Sequence, residues 1–357
     1  MMYSRIRYPD RVPPAELDEY LEAGWRCTGQ AIYTSHFMRF PPDGGGRVYS
    51  TIPTRLPLSG YAFSKRLRKQ WRRVHRRFRV ETGAPFQWDE ATARVHEAYT
   101  QCFPDRPLAD LETYLAAPCG PFTFDTRCVR VYDGNQLVAF SVFNLGKRSI
   151  YSSQGIYDPE FHKYSLGFFT MLAEIEYGKE QGRLFFYPGY IVPGYSEFDY
   201  KQRIGELEYF LLSEQRWLPS KDFSETQAPV TEMRHQLSSL KGRLKSHGVD
   251  ACLSEYTLFD IRFFDSRPLP FLEFPLVLLI ETSDPAQLSP LVVYHPVEQS
   301  FGILNSKFFG IGVHHVPTYL EIMAQKPASI GFPIAVVEIL KENTPLESAL
   351  QYLSTFL

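Results

Sequence analysis

The sequence predicts a mixed α/β fold of two or three domains. With 357 residues, 44% of them hydrophobic, the chain can bury a large core. Residues 123–187 read as strand, hairpin, strand, helix and strand, because period-2 alternation gives way to helical spacing over 166–181. Apolar strands are expected near 256–264, 274–280, 291–295 and 334–340. We therefore expect an α/β (α+β) fold with an additional C-terminal α/β domain.

The N-terminal part predicts a β-rich segment over residues 1–60. A helix over 14–23 ends at Gly24, and strands over 25–40 and 47–58 flank a turn at 41–46. We expect a core over 61–218, a polar linker over 219–229 and the C-terminal domain over 228–357. Further helices are expected within 89–117 (two of them) and over 230–247, 316–325 and 345–357.

Composition and cysteine usage favour a cytoplasmic protein. The N-terminus lacks a signal-peptide pattern, and the longest apolar run, 274–280, is too short to span a bilayer. The five cysteines form no Cys-x-x-Cys pair, so neither a disulfide framework nor a zinc site is expected. His314 and His315 lack ligand-spaced partners, so we expect no metal there.

Residues 65–79 predict a cationic amphipathic helix. Leu67, Trp71, Val74 and Phe78 form one narrow apolar stripe, and nine of the fifteen residues are Lys or Arg with no acidic residue between them. Such a run repels itself unless it binds an anion, which favours a polyanionic partner over a solvated face or a membrane surface. The candidate RNA-binding residues are Lys65, Lys69, Arg72, Arg73 and Arg76.

Two stretches carry a family resemblance. The first holds Tyr157-Asp158-Pro159 and Ser165-Leu166-Gly167, and the second holds Gly189, Tyr190, Tyr200, Lys201, Leu207 and Glu208. This spacing resembles the C-terminal half of the aminoacyl-tRNA–protein transferases, over roughly residues 15–212.

The resemblance implies a fold and an activity. The core would be like that of the GCN5-related acetyltransferases. The activity would be transfer of an amino acid, of arginyl or leucyl type, from charged tRNA to a protein N-terminal α-amine. The implied partners are aminoacyl-tRNA and a protein or peptide N-terminus, with no cofactor and no membrane. The family's Cys-x-x-Cys pair is replaced by proline and glycine near 41–46, so any metal or cluster site there is expected to be absent.

The reaction asks little of a catalyst. An amine attacks an ester readily, so the enzyme must mainly align two large substrates, stabilise the oxyanion and remove a proton. We expect these groups where strand 184–187 ends. The candidate catalytic residues are Tyr190, Glu197, Tyr200 and Glu208. The candidate substrate-binding residues are Ser165, Leu166, Gly167, Gly189, Lys201 and Arg203.

Each of these residues also has an ordinary interpretation. Ser165 could simply cap the helix that follows it, and Gly189 could be a turn glycine. The tyrosines could be packing residues, and Lys201 and Arg203, expected on a strand or turn, could be solvent-exposed. The 162–167 stretch HKYSLG lacks the Arg/Gln-x-x-Gly-x-Gly/Ala loop of acetyl-CoA users, which disfavours another acyltransferase on the same fold.

One departure from the family bears on specificity. The family usually has a Lys-Met pair seven residues after the tyrosine at 190, and this chain has Glu197-Phe198. We expect Glu197 to face the substrate and to disfavour acidic acceptor termini, and Glu208 to be structural or orienting. Together with the missing cysteines, the change leaves a non-catalytic tRNA- or protein-binding descendant as the alternative to an active transferase.

Overall fold

The computed structural model describes residues 3–40, 47–104, 111, 122–260, 270–280, 290–308, 329–330 and 334–356. These residues form six α-helices: α1 (Pro14–Glu22), α2 (Lys65–His75), α3 (Glu90–Cys102), α4 (Leu166–Glu180), α5 (Pro229–Ser246) and α6 (Leu346–Leu353). The strands of the N-terminal two thirds are β1 (Ser4–Arg7), β2 (Arg26–Thr28), β3 (Ala31–Ser35), β4 (Phe37–Arg39), β5 (Val48–Ser50), β6 (Ile52–Pro57), β7 (Arg79–Pro85), β8 (Thr126–Asp133), β9 (Gln136–Leu145), β10 (Ser149–Tyr157), β11 (Phe185–Ile191), β12 (Glu208–Leu211) and β13 (Arg216–Pro219). The strands of the C-terminal third are β14 (Ala251–Tyr256), β15 (Leu276–Ile280), β16 (Leu291–His295), β17 (Ser300–Phe308), β18 (Ser329–Ile330) and β19 (Ile334–Thr344).

An eight-stranded sheet organises the first two thirds of the chain. Its order is β13-β12-β6-β11-β10-β9-β8-β7. The β10–β11 pair is parallel, and the other neighbouring pairs of this sheet are antiparallel. Helix α4 connects β10 to β11, as a parallel connection requires, and packs on β8, β9 and β10. Helix α3 also packs on β9 and β10, and because β9 is buried along nearly its whole length we infer that both faces of the sheet are covered.

The N-terminal segment adds two small sheets. Strands β1, β3 and β2 form one of them, and β4 and β5 form the other. Leu17 and Leu21 on α1 pack with Ile32 of β3 and with Tyr151 and Tyr187 of the large sheet. Apolar side chains one helical turn apart thus attach α1 and the small sheet to β10 and β11. This packing brings β2 alongside the large sheet.

The C-terminal third forms a six-stranded sheet of order β18-β14-β15-β16-β17-β19. Helix α5 packs on it through Met233, Leu237, Leu240 and Leu244, spaced on one helical stripe and fully buried. The same hydrophobic cluster includes residues from the N-terminal strands and from the end of β12: Tyr3, Phe37, Val48 and Leu212. The Val230 N–H also donates to Ser50 Oγ at 2.9 Å. The C-terminal sheet therefore shares a core with the N-terminal segment.

Three expected elements differ from the structure. The helix expected over 65–79 ends at His75, because Phe78 turns into the core and Arg79 begins β7. Of the strand expected at 256–264, residues 257–260 form a turn and residues 261–264 lie outside the described ranges; the strand in this region is Ala251–Tyr256. The strand expected over 184–187 continues to Ile191, because its second half pairs with β6 instead of β10. The expected helices, hairpin and strands elsewhere in the described core agree to within a few residues.

Several expectations fall on residues outside the described ranges. These are the turn at 41–46, the second helix within 89–117, the helix at 316–325, and the histidines at 314 and 315. Within the described residues, no group of three His, Cys, Asp or Glu side chains could hold a metal ion. The four described cysteines are free thiols. No helix in this part of the chain is long and apolar enough to cross a membrane.

Candidate active site

The large sheet opens between its two parallel strands. Residues 149–151 of β10 pair with residues 185–187 of β11, and the two strands then separate. Beyond this point β10 continues along β9, whereas Gly189, Tyr190 and Ile191 pair with β6 after a bulge. The backbone groups that β10 and β11 direct toward each other beyond residue 187 are therefore released from their ladder.

Lys201 lies beside this opening. It belongs to the 3-10 helix Ser196–Ile204 and is 7% exposed. Its Nζ donates a hydrogen bond to the Tyr190 backbone oxygen at 3.1 Å. The ordinary interpretation of Lys201 from the sequence was a solvent-exposed side chain. That interpretation is wrong, because the side chain is buried.

Gly189 makes room for this lysine. Its φ of +95° lies in the region that favours glycine, and a Cβ at this position would stand 3.3 Å from Lys201 Nζ. A larger residue would combine backbone strain with displacement of the amine. The glycine therefore has a second use besides the expected approach of the acyl donor, namely to hold Lys201 against the strand.

Arg26 is the second cation at the site. It comes from β2, is 1% exposed, and lies with Cζ 4.6 Å from the Tyr190 ring centroid and 4.8 Å from that of Tyr33. One guanidinium nitrogen, Nη2, bonds the Ser35 backbone oxygen, whereas Nε and Nη1 are buried without a hydrogen-bond partner. Buried charged groups without partners are costly, so this guanidinium is suited to receive an anion.

Arg26 and Lys201 share one aromatic neighbour. Lys201 Nζ lies 4.9 Å from the ring centroid of Tyr190 and 5.0 Å from that of Phe198. We call Arg26, Tyr190, Phe198 and Lys201 the buried-cation cluster. The ring faces stabilise positive charge, yet the ion pairs among the described residues include no carboxylate bound to either cation.

Burial and charge shift the titration of the cluster. Desolvation, and then the charge of Arg26, lower the pKa of Lys201 to about 7, while Glu197 acts weakly in the other direction. Burial and Arg26 also lower the pKa of His36 to about 3, so this neighbour of β3 is neutral. Burial raises the pKa of Tyr190 beyond its ordinary range. Near neutral pH, Arg26 is thus the permanent charge and Lys201 is the group that titrates.

Glu197 lies at the exposed margin of the cluster. Its Oε2 accepts a hydrogen bond from the Tyr195 hydroxyl at 3.0 Å. Tyr195 stacks on Phe40 with ring centroids 4.6 Å apart, and Phe198 contacts both rings. The Glu197 carboxylate therefore lies beside the rings of Phe40, Tyr195 and Phe198. It is close enough to Lys201 to influence the charge of that side chain. Its expected contact with substrate stays a prediction.

Tyr200 and Arg203 lie on the outer surface of the same 3-10 helix. Tyr200 is 40% exposed, and its ring meets Phe168 of α4 edge-on at 6.5 Å between centroids. Arg203 covers the same phenylalanine, with Cζ 4.6 Å from the ring centroid. An exposed ring beside a guanidinium is a suitable surface for a stacked base and its phosphate.

The start of α4 supplies the remaining expected substrate residues. Ser165 occupies the N-cap position of the helix, as one interpretation of the sequence predicted, with a φ of 51°, but its side chain makes no capping hydrogen bond. Leu166 is fully buried and Gly167 approaches β10 closely, since a Cβ there would lie 3.2 Å from the Tyr157 ring. The N–H groups of this helix end, which receive no side-chain cap, would suit an anion.

Glu208 is held in a separate network. Its Oε2 accepts from Arg55 Nε at 2.6 Å, and Arg55 Nη1 reaches Glu22 at 2.7 Å. The Arg55 guanidinium also lies between the rings of Phe185 and Trp217. These contacts fasten β12 and β6 to α1, which is the kind of orienting role that we expected for Glu208.

The cations of α2 form an exposed surface. Leu67 and Val74 are buried, as the apolar stripe predicted, and the lysines and arginines of the helix project outward. Among the described residues, the ion pairs of this region involve Arg77 with Asp133 and Arg79 with Glu81, both beyond the end of the helix. The candidate residues Lys65, Lys69, Arg72, Arg73 and Arg76 are all exposed.

Comparison with known proteins identifies a family to which part of the chain is similar. Residues 72–211 match the family model described as arginine-tRNA-protein transferase, C terminus. Over these residues the chain is similar to the aminoacyl-tRNA–protein transferase family. The matched range contains the opening of the sheet, Lys201, Tyr190 and most of α2, whereas Arg26 lies before it. The names of the family and of its relatives indicate a transferase.

Two relatives illustrate the extent of the similarity. An aspartate/glutamate leucyltransferase of Leptospira interrogans is 30% identical over 92 residues, which are 25% of this chain and 36% of that protein. An enzyme of the same name from Shewanella sp. strain MR-4 is 28% identical over 218 residues, 58% of this chain and 83% of that protein. The match to the Leptospira protein thus spans about a third of its length.

The solved structures give weaker matches. A fungal multi-domain β-N-acetylglucosaminidase with a GCN5-related glucosamine N-acetyltransferase region matches at 11% identity with a TM-score of 0.31, over 57% of this chain and 21% of that one.

Sequence reasoning missed Arg26 and Tyr33. Arg26 sits in a short stretch, Trp25-Arg26-Cys27, that reads as one edge of a hairpin, where an arginine is ordinarily solvated. Its burial depends on the packing of β2 against β10 and on its contact with the Tyr190 ring, which join residues far apart in the chain. The local signal was an arginine within an otherwise apolar strand, and that alone does not identify a partner.

Proposed function

We propose that this protein is an aminoacyl-tRNA–protein transferase that moves an amino acid of arginyl or leucyl type from charged tRNA to the N-terminal α-amine of a protein. The observation that carries the proposal is the buried-cation cluster, located where the parallel strands of a family-matched core separate. The released backbone groups of β10 and β11 offer hydrogen bonds to an acyl donor. The Arg26 guanidinium lies beside them and has no anionic partner among the described residues.

We further propose that the acceptor begins with Asp or Glu. Arg26 and Lys201 have no carboxylate partner among the described ion pairs, and Nε and Nη1 of Arg26 have no hydrogen-bond partner, so an acidic side chain would complete the site. The relatives are named aspartate/glutamate leucyltransferases, in keeping with this choice. A single exposed carboxylate, Glu197, opposes it weakly because solvent screens its charge. The proposal thus differs from the expectation drawn from Glu197 alone.

The tRNA would lie across α2 and the outer face of the 3-10 helix. Exposed cations without acidic partners suit a phosphate backbone, and binding to them requires no base sequence. Tyr200 would stack the terminal adenine and Arg203 would contact a phosphate beside it. The ester carbonyl would then enter the opening between β10 and β11. Ser165, Leu166 and Gly167 would bind an anion of the donor at the start of α4.

We also propose the finer assignment of the fold. The β9–β10–α4–β11 arrangement, with its parallel pair opening after three residues, supports a GCN5-related acetyltransferase-like core over 61–218. The N-terminal segment over 1–60 would supply Arg26 to that core, and residues 228–357 would form the C-terminal domain. Tyr3, Phe37 and Val48 share one hydrophobic cluster with the C-terminal domain. We therefore expect the C-terminal domain to stabilise the N-terminal segment.

A transfer assay tests the activity. Purified protein is mixed with arginyl- and leucyl-tRNA carrying a labelled amino acid, and with peptides that differ only in a first residue of Asp, Glu, Ala or Lys. We expect label to appear on the peptides that begin with Asp or Glu. A matched peptide with an acetylated N-terminus should receive none, because its nitrogen cannot attack. The absence of transfer from every aminoacyl-tRNA, together with retained tRNA binding, would favour the non-catalytic binding protein.

A further inference from the structure

We infer that Lys201 is the general base that takes the proton from the acceptor's α-ammonium group, and that Arg26 is the positioning residue that favours the unprotonated form of Lys201. This inference rests on the proposed function and assigns the proton transfer within it. It concerns the same four residues, the buried-cation cluster.

The position of Lys201 suits a base. Its Nζ is held by one hydrogen bond, to the Tyr190 backbone oxygen at 3.1 Å, and lies at the edge of the opening where the ester is expected. A neutral amine can donate one N–H to that oxygen and retain its lone pair for an incoming proton. The φ of Gly189 and the absence of a Cβ there keep the amine against the strand. A general base must be within hydrogen-bond reach of the group that it deprotonates, and this location meets the requirement for an amine entering the opening.

The charges around Lys201 explain why it can be neutral. From β2, Arg26 faces the same Tyr190 ring, 4.6 Å from its centroid. From the 3-10 helix, the exposed Glu197 gives partial compensation, and Tyr190 and Phe198 offer ring faces. Burial and Arg26 together lower the pKa of Lys201 to about 7, close to the working range of a base at cellular pH. An α-amine has an ordinary pKa of about 8, so the proton passes between groups of similar affinity.

The reaction begins with a proton transfer and ends with release of the tRNA ribose. A proton moves from the acceptor's α-ammonium to the Lys201 Nζ lone pair, which leaves a neutral α-amine and a lysine ammonium. The amine nitrogen attacks the ester carbonyl carbon and forms the N–C bond. The bond between that carbon and the ribose oxygen breaks, and the second nitrogen proton goes to the ribose oxygen. Lys201 then returns its proton to solvent. The transient ammonium, beside Arg26, would also attract the acidic side chain of the acceptor, so that deprotonation and recognition reinforce each other.

The test is the pH dependence of transfer in matched variants. For a peptide that begins with Asp, wild-type kcat/KM should fall on the acid side with a midpoint near 7. Arg26→Met removes the charge that disfavours protonation and should move this midpoint upward by about one pH unit, whereas Arg26→Lys keeps the charge and should leave it in place. Lys201→Arg keeps a cation but removes the base. Because roughly a tenth of an α-amine with a pKa of about 8 is already neutral at pH 7, kcat should fall by up to about tenfold there, with tRNA binding unchanged.

A direct titration guards against misfolded variants. In wild-type protein labelled with 13C-lysine, the signal that Lys201→Met removes should titrate near pH 7 by nuclear magnetic resonance. A midpoint near 10.5, the ordinary value, would overturn the inference even if every variant were inactive. Equal transfer by Lys201→Arg and wild type, with the same pH profile, would also overturn it while leaving the proposed function intact. A wild type that transfers nothing would instead remove the proposed function.

Discussion

The molecule uses the same two residue types, lysine and arginine, in two opposite settings. On α2 they are exposed, repeated and free of acidic partners among the described residues, so that salt screens the field they produce. In the buried-cation cluster there are only two, Arg26 and Lys201, and both are almost fully withdrawn from water. Burial makes the charge of Lys201 conditional on pH and on what binds beside it. A large number of exposed cations therefore favours affinity, and a few buried ones favour selectivity and proton transfer.

The largest expected effect separates a buried lysine from an exposed one. Lys201→Met should stabilise the protein, because the folded pKa of Lys201 lies near 7 and the unfolded one near 10.5. Between these values the unfolded state holds one more proton, so wild-type stability rises with pH across this window. At about 1.4 kcal/mol per pH unit, the variant should gain up to roughly 5 kcal/mol at pH 7 and lower, and the gain should vanish by about pH 10.5.

Lys69→Met on α2 is the matched control. Thermal unfolding at pH 7 and at pH 10 should separate the two variants, with the control staying within about 0.5 kcal/mol of wild type at both. A loss of stability in Lys201→Met at pH 7, with a flat dependence on pH, would mean that the lysine is an ordinary structural cation.

A buried carboxyl group, that of Glu174, should make the stability change with pH in the opposite direction to Lys201. Glu174 on α4 is fully buried, accepts a hydrogen bond from Ser141 Oγ at 2.5 Å, and its Oε2 has no partner. Burial raises the pKa of Glu174 to about 8. Below about 4.5 both states are protonated, and from there to 8 the unfolded state loses its proton first, so wild-type stability should fall as pH rises through this window.

Glu174→Gln should remove that slope and gain a few kcal/mol at pH 8, less the cost of an unpaired amide N–H. Denaturant unfolding at pH 5 and pH 8 measures it, with the exposed Glu180→Gln on the same helix as control. A parallel pH dependence in wild type and Glu174→Gln would show that Glu174 is ionised in the folded protein.

Charge reversal on α2 should act on affinity instead of stability. Replacing Lys69, Arg72 and Arg76 by Glu should weaken tRNA binding at least about tenfold and make the dependence of log affinity on log salt shallower, with a nearly unchanged Tm. The control reverses Lys221, Lys241 and Lys245, which are exposed elsewhere and give the same change in net charge. Equal loss of binding in both triple variants, measured by gel-shift titration, would reduce the role of α2 to net charge alone.

The smallest expected effect concerns Glu197, which is exposed and lies at the margin of the buried-cation cluster. Glu197→Lys should raise the preference for acidic over neutral acceptor peptides by several-fold, because it replaces a repelling charge by an attracting one at an exposed site. The ratio of kcat/KM for peptides beginning with Asp and Ala measures this. If the ratio is the same in both forms, Glu197 does not contribute to acceptor recognition.

Sequence patterns predicted much of the core and only part of the site. The hairpin of β8 and β9, the helix α4 and the apolar stripe of α2 follow from local periodicity, which depends on neighbours along the chain. The family spacing identified Gly189, Tyr190 and Lys201. The surroundings of Lys201 could not be predicted because burial is set by distant partners: Arg26 comes from β2, and Lys201 lies buried in a 3-10 helix. The continuation of β11 onto β6 was missed for the same reason, since strand pairing is non-local.

The central claim is that the buried-cation cluster performs aminoacyl transfer to an acidic protein N-terminus, and one experiment addresses it directly. Wild type, Lys201→Arg and the α2 triple variant are compared under single-turnover conditions with saturating charged tRNA and an Asp-initiated peptide at pH 7. The account predicts rapid transfer by wild type, a rate close to that of wild type for the α2 variant once tRNA is saturating, and a rate about tenfold lower for Lys201→Arg. Transfer by Lys201→Arg at the wild-type rate would contradict the assignment of the cluster, and no transfer by wild type from any charged tRNA would contradict the function itself.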